Sequence, residues 1–321
     1  MPESTLIFAG NQERPSSHCA SITELGGGEF YAVWYAGSHE GNRDVAIVAS
    51  RLAVGGDQWS PIKTLVNKPG KPGGNPVVWD DGAGTLHHFY NIIEDPARGW
   101  SAAALYFDTS SDGGRTWDGE RVFDQEEGMM VRHRPVRLSS DRVLLPAYDE
   151  KLWEGLCYIS DDNGASWRPS ARMICPARCI QPAIIERDDG SLHALVRPGD
   201  RGLAWECDSG DQGETWTPCI PSALQNPNSG ADMIRLRSGE VVACFNDSPD
   251  KRNPLTVAVS LDEGRTWAGR HDLETEDERF SYPTLMQAAD DTVHLVYTWK
   301  RLGIMHTRMT PEWLRAVAGS G

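Results

Sequence analysis

The sequence predicts an all-β fold, a six-bladed β-propeller, on three observations. An eight-residue pattern, Ser-x-Asp-x-Gly-x-[Ser/Thr]-Trp, occurs four times, at Ser110–Trp117, Ser160–Trp167, Ser209–Trp216 and Ser260–Trp267. Its closing tryptophans stand 50, 49 and 51 residues apart, and a fixed period of that length marks a repeat architecture. Each copy also lies between short runs that read as strands. A chain of 321 residues then holds about six such units, in one domain over residues 1–321.

The repeated box reads as a tight hairpin turn. Its Ser and Asp can hydrogen-bond nearby backbone, and its Gly takes a positive φ that a side chain resists. The Trp buries a large apolar surface. The boxes are therefore expected to be architecture and not chemistry, because repeats stack units that share a core. One period outside the four boxes lie Trp59 and Trp313, read as degenerate end copies.

Each unit divides into four strands. Blade 1 takes residues 18–24, 29–36, 43–51 and 62–66, and blade 2 takes 75–79, 85–92, 102–109 and 121–123. Blade 3 takes 131–138, 142–148, 155–159 and 171–174, and blade 4 takes 180–186, 191–197, 203–207 and 217–220. Blade 5 takes 231–236, 240–246, 255–260 and 271–273. The sixth has only 282–288, 292–299 and 303–308. The N-terminal run 4–9 is free to supply its missing strand, which closes the ring and hides the sheet edges.

Net charge is −15, which argues against a nucleic-acid or membrane-surface partner. No apolar stretch is long enough to span a bilayer. The N-terminus, MPESTLIFAGNQERP, lacks the basic-then-apolar order of a secretory signal. The seven cysteines have no framework spacing. Cys175 and Cys179 are the closest pair, and nothing completes a zinc pattern around them. All seven are read as reduced thiols, so a cytoplasmic protein without metal or cofactor is expected.

The loops sort into two sets. Turns between the first and second strands of each blade are short and acidic or Gly-rich. The connections at the opposite end hold Arg14, His18, Glu40, Arg43, Asp44, Asn75, Arg132, His133, Arg134, Asp149, Glu150, Arg178, Gln181, Arg197, Asp200, Arg201, Asn226, Asn228, Asn246, Arg252, Arg279, Tyr282, Trp299 and Arg301. An acidic chain thus gathers arginines on one face. Guanidinium forks fit carboxylates and phosphates, which points to a small anionic ligand at the propeller mouth. Some of these arginines are expected to pair with Asp149, Glu150 or Asp200. Arg132, His133 and Arg134 alternate along one strand, so the arginines are expected to line the channel and His133 to pack inside the blade.

With its four boxes and the stretches YAGSHEGNRDVAI, IQPAIIERDDGSLHALVR, NPNSG and FSYPTL, the chain resembles the sialidase (neuraminidase) superfamily of Asp-box, or BNR-repeat, propellers, in particular its bacterial sialidase-like branch. The resemblance covers nearly the whole chain. It implies Asp44 as the acid/base, Tyr282 as the nucleophile and Arg197 in the grip on the substrate carboxylate. Two departures stand out. Gln181 occupies the place of the Glu that activates the tyrosine, and Gln cannot act as a base. His18 stands near the place of the first arginine, whose supporting Glu is replaced near Thr298. Glu40, four residues before Asp44, is the expected partner for Tyr282. The anion grip is expected to be rebuilt from Arg132, Arg134, Arg197, Arg252 and Arg301, with Asn75, Gln181 and Asn228 as further substrate contacts.

The first functional expectation is a retaining exo-glycosidase for a terminal acidic sugar such as sialic acid, a related 2-keto acid or a uronate; tyrosine nucleophiles are a known variant of the two-carboxylate rule. A tyrosine suits an anionic substrate, which would repel a carboxylate nucleophile. The alternatives are a uronate-directed lyase, in which Tyr282 or a His removes a proton, and a carbohydrate-binding propeller without chemistry.

Overall fold

The structure, a computed structural model, describes residues 2–319; residues 1 and 320–321 of the expected domain lie outside it. The first strand, β1 (Glu3–Phe8), precedes the blades. Blade 1 is β2 (Ser16–Leu25), β3 (Glu29–Gly37), β4 (Ala46–Leu52) and β5 (Lys63–Val66). Blade 2 is β6 (Gly73–Asp80), β7 (Leu86–Ile93), β8 (Ala103–Ser110) and β9 (Arg121–Asp124). Blade 3 comprises β10 (Met129–Val131), β11 (Val136–Arg137), β12 (Val143–Asp149), β13 (Glu154–Ser160) and β14 (Arg168–Pro169). Blade 4 is β15 (Cys179–Glu186), β16 (Leu192–Pro198), β17 (Gly202–Ser209) and β18 (Ile220–Asn226). Blade 5 is β19 (Asp232–Arg235), β20 (Val241–Asn246), β21 (Leu255–Ser260) and β22 (Gly269–Glu274). Blade 6 is β23 (Phe280–Gln287), β24 (Val293–Trp299) and β25 (Gly303–Met309). Its outer strand is β1, which runs antiparallel to β25 from Glu3↔Arg308 to Phe8↔Ile304. The ring closes as the missing strand implied.

Apolar cores lie between consecutive blades. Leu25, Tyr31, Val33 and Ala49 of blade 1 meet Val78 and Leu86 of blade 2. Val77, Phe89 and Leu105 of blade 2 meet Val131, Leu145 and Leu156 of blade 3. Ile7 and Ile304 meet Ala20, Trp34 and Val48, joining blade 6 to blade 1. A fully buried side chain of this size contributes about 1.5–3 kcal/mol, so each blade depends on its neighbours.

The boxes join strands three and four of their blades, and all four share one bonding scheme. In the first, Ser110 Oγ accepts from Gly114 N at 2.8 Å and donates to Asp112 Oδ1 at 2.8 Å. Asp112 also accepts from the backbone N–H of Arg115 and Thr116 and from the Thr116 hydroxyl. Gly114 has φ +79°, and an added Cβ would lie 3.1–3.2 Å from Leu86, Trp117 and Tyr31. Tyr31 belongs to the preceding blade, so the glycine also lets the turn press against its neighbour. Gly164, Gly213 and Gly264 meet Trp79, Leu144 and Ile185 of their preceding blades in the same way.

Four features differ from the sequence expectation, the simplest being the last strand of blade 4, expected over 217–220 and found as β18 after the box turn has finished. The inner strand of blade 3, expected over 131–138, breaks between β10 and β11 at 132–135. Pro135 carries no N–H for the ladder, and Arg132 and His133 bond across the channel instead. The fourth strand of blade 3 is β14, not 171–174, where Met173 keeps only an isolated bridge to Gly155. Trp313 is not a box residue. It lies in helix α1 (Pro311–Ala318), capped by Thr310 and seated on blade 5 through Leu314 and Val317. Thr followed by Pro is a helix-start signal that the repeat period overrode. Trp59 does stand in the corresponding turn of blade 1, with Nε1 donating to His306 at 3.3 Å.

Candidate active site

Four inner strands share a local defect. In β2, β6, β15 and β23 the register slips between His18 and Ser21, Gly74 and Val77, Ile180 and Ala183, and Ser281 and Thr284. Within each slip one side-chain-bearing residue has a positive φ: Cys19 (60°), Asn75 (43°), Gln181 (56°) and Tyr282 (56°). A bulge re-aims a side chain that strict alternation would send elsewhere, and such backbone strain clusters at functional sites. Here the bulged residues of four blades form one polar chain. Cys19 donates to Asn75, and Asn75 donates to the Tyr148 hydroxyl at 2.9 Å. Gln181 donates to that hydroxyl at 3.4 Å and accepts from Arg197 at 3.3 Å. The same Arg197 nitrogen donates to the Tyr282 hydroxyl at 2.6 Å. Gly230 borders this chain, and a Cβ there would lie 3.1 Å from the Gln181 oxygen and 3.5 Å from the Tyr282 ring.

These groups line a cavity of about 180 Å³ with Glu40, Trp100, Glu150, Trp153, Arg252, Arg279 and Arg301. Arg197, Arg252 and Arg279 continue into an adjoining cavity that includes Asn228 and Arg201. Asn228 accepts from Arg197 Nε at 2.7 Å, and its carbonyl accepts from Arg252 at 3.2 Å, so it orients two guanidinium groups. Arg252 also lies 5.6 Å from the centre of the Tyr282 ring. Burial holds Arg252 below the usual arginine range, and neighbouring guanidinium groups add to that against the opposing influence of Tyr282. Of the expected site residues, Tyr282, Gln181, Asn75, Arg197, Arg252 and Arg301 line the cavity and Asn228 lies beside it.

Other expected site residues lie elsewhere. Asp44 is in an exposed loop, where its two oxygens accept from the Ser38 backbone and hydroxyl, both at 2.7 Å. Burial acts upward on its carboxyl, but these bonds outweigh it and hold the group below the usual range, opposite to what a proton donor needs. Arg132 is almost fully buried beneath Tyr282, its nitrogens bonded to Thr284 and to the Pro283 carbonyl of blade 6. Arg134 faces a separate pocket at the other end of the channel with Asp232 and Arg235. His133 does not pack inside its blade: it reaches blade 5 and bonds the Ala231 carbonyl at 2.7 Å. The interrupted strand cancels the alternation that separated the three.

Glu40 lines the cavity but is not bonded to Tyr282. One oxygen accepts from Trp100 Nε1 at 3.2 Å and the other pairs with Arg301. Burial pushes its carboxyl up, but Arg301 and Trp100 outweigh burial and hold it below the ordinary range. Among the described residues no carboxylate hydrogen-bonds the Tyr282 hydroxyl. His18 lies tilted against the Tyr282 ring with centres 4.2 Å apart and bonds Thr298 at 2.7 Å. Burial, then Arg301 and other nearby arginines, push its pKa well down, so the ring is neutral.

Glu150 is the group that sequence reasoning underrated, taking it for an arginine's partner. It follows β12 directly, at a second-strand end like that of Arg197. Burial pushes its carboxyl up to about 7, against an opposing pull from Arg197. Asp149 next to it pairs with Arg172 at 3.1 Å instead. Arg279 stood among the cavity-end loop residues but not in the expected anion grip, and the aromatic walls Trp100 and Trp153 carried no sequence signal. Gly74 makes room for Trp100: a Cβ there would sit 2.2 Å from the indole.

Box turns at one end of six closed blades and an arginine-lined cavity with a central tyrosine at the other define a propeller of the sialidase superfamily. The chain belongs to the BNR repeat-like domain family, whose model matches residues 28–295. A sialidase of Bacteroides fragilis is 22% identical over 215 residues, covering 61% of this chain and 39% of that protein. The chain thus spans well under half the length of that relative. The Hadza microbial sialidase Hz136 superposes with a TM-score of 0.82 at 18% identity, over 96% of this chain and 68% of the other. A leech intramolecular trans-sialidase gives 0.82 at 15% identity, over 100% of this chain and 71% of the other. At these identities the structural likeness is one of fold.

Proposed function

We propose that this propeller cleaves the glycosidic bond of a terminal acidic sugar, with Tyr282 as nucleophile and Glu150 as acid/base. The observation that carries the reading is the Tyr282 hydroxyl held by Arg197 at 2.6 Å in a cavity with a carboxyl whose pKa is raised to about 7. Arg197, Arg252, Arg279 and Arg301 line that cavity against Glu40 and Glu150. The local balance is positive in a chain of net charge −15, which favours an anionic ligand. The sialidase relatives support a sialic acid or a related 2-keto acid; a uronate fits the same charge.

In this scheme Arg252 and Arg279 grip the substrate carboxylate, while Arg197 donates to the tyrosine oxygen. Tyr282 releases its hydroxyl proton to solvent water, and its oxygen, held by Arg197, attacks the anomeric carbon as the bond to the leaving oxygen breaks; the proton returns from solvent at the end of the cycle. Glu150 gives its proton to that oxygen. Glu150, now a carboxylate, takes a proton from water, the water oxygen attacks the anomeric carbon, and the phenolate leaves. Gln181 bridges Tyr148 and Arg197 and so positions the guanidinium. Glu40 fixes Arg301 and takes no proton.

The test is turnover of aryl glycosides of sialic acid, its deaminated analogue and glucuronate, with mass spectrometry of the intact protein after reaction with a fluorinated substrate. A glycosyl adduct on Tyr282 supports the reading; turnover without dependence on Tyr282 ends it. The lack of a carboxylate bonded to Tyr282 favours a second reading, β-elimination from a uronate, with Tyr282 taking the proton beside the carboxylate. That reaction leaves an unsaturated product with new ultraviolet absorbance, which hydrolysis does not.

A further inference from the structure

We propose that Cys175, Cys179 and Cys219, with Cys207 beside them, form a structural zinc(II) site in blade 4, far in role from the sugar cavity and independent of its chemistry. In sequence the Cys175–Cys179 pair has no partner, and no metal was expected. The fold supplies one. Cys175 and Cys179 flank the turn that leads from blade 3 into β15, and Cys219 immediately precedes β18. Cys219 N donates to the Ile174 carbonyl at 2.9 Å, which ties the two segments together. The three sulfur atoms all lie within 4.8 Å of one another. Those of Cys179 and Cys219 are 3.9 Å apart.

That spacing fits a tetrahedral thiolate site: a Zn–S bond of about 2.3 Å gives sulfur–sulfur edges of about 3.8 Å. A fourth ligand is available by side-chain rotation: the β17–β18 register pairs Glu206 with Ile220, which places Cys207 opposite Cys219, next to the close trio but not part of it. Cys179 and Cys219 are buried, while Cys175 is half-buried and leaves an entry path. Core packing alone does not gather thiols in this way. Cys157 and Cys244 are also buried, in ordinary apolar surroundings with no second thiol touching them. On binding, zinc displaces a proton from each thiol to the buffer, with no oxidant or reductant involved. The bound ion would pin the start of β15, two residues before Gln181, to the outer edge of its own blade.

The experiment uses the full chain, reduced, incubated with zinc chloride or cobalt(II) chloride and desalted before metal counting by mass spectrometry. One zinc per chain is expected. Cobalt should give a near-ultraviolet thiolate charge-transfer band and the intense visible bands of tetrahedral cobalt. Cys175→Ser and Cys219→Ser should retain little metal, whereas Cys244→Ala should retain it fully. Failure of reduced wild-type protein to hold either metal overturns the proposal, as does equal retention by the two serine variants. Loss of two hydrogens from the intact mass in air, with no metal retained under reductant, would show a redox pair instead. If the serine variants do not fold, the wild-type cobalt spectrum decides by itself, and an octahedral spectrum without charge transfer refutes the site.

Discussion

The two ends of the blades treat carboxylates in opposite ways. At the box end, Asp112, Asp162, Asp211 and Asp262 each accept several bonds from backbone and hydroxyl groups, and all four are held below the usual carboxylate range. Asp44, although at the cavity end, follows the same pattern through Ser38. In the cavity Glu150 is half-buried with no hydrogen-bond donor on its carboxyl among the described residues, and its pKa rises to about 7. A carboxylate satisfied by donors is a structural pin. One deprived of them is ready to exchange a proton near neutrality. Motif repetition marks the first kind, and in the cavity Glu150 is the second.

The sharpest way to break this contrast is Tyr282→Phe, which removes one oxygen and keeps the ring packed against His18. Turnover should fall by roughly a thousandfold or more, with an unchanged melting temperature. Full activity in the phenylalanine variant would place the chemistry elsewhere.

Glu150→Gln should follow, with a loss of about 10²–10⁴-fold on poor leaving groups and much less on activated aryl glycosides. In the wild type Glu150 must carry its proton to act as acid, so kcat/KM should fall as pH rises through about 7. The stability effect has a definite sign. The folded pKa lies above the ordinary value of 4.5, so folding favours the neutral form, and that stabilisation is lost as pH climbs toward 7. Glu150→Gln should flatten both profiles. Asp44→Asn should leave the rate on every substrate unchanged, and a selective loss on poor leaving groups there would reverse the two assignments.

Arg197→Ala should lower turnover about tenfold to a hundredfold, because it removes the charged donor on the Tyr282 oxygen and frees the tyrosine. Arg197→Lys should recover little, since a point charge does not replace a fork that engages Asn228, Gln181 and Tyr282 together.

The smallest effect belongs to the box end. Ser110→Ala leaves the buried Gly114 N–H without its acceptor and should cost about 1–3 kcal/mol of stability, read from denaturant unfolding. Activity per folded molecule should not change. If it does, the box end and the cavity are mechanically coupled.

The sequence by itself determined the blade count, the box turns and the ring closure by β1, because these depend on local turn chemistry and a period that survives in one dimension. It also placed Tyr282, Gln181, Asn75 and Arg197 at the cavity, since each stands at a blade-strand position whose end is set by that period. Only the tertiary structure decided what those residues touch. Bulges in four separate inner strands turned their side chains toward one another, and nothing in a single strand's alternation announces a bulge. The broken strand of blade 3 withdrew Arg132 and Arg134 from the cavity, and local donors claimed Asp44. Glu150 gained its raised pKa from desolvation, which the environment confers and the residue type does not. The thiols of Cys175, Cys179 and Cys219 meet for the same reason: the segment leading from blade 3 into β15 runs beside the residues before β18, which brings residues forty apart in the chain to within 4 Å, a proximity that sequence distance hides.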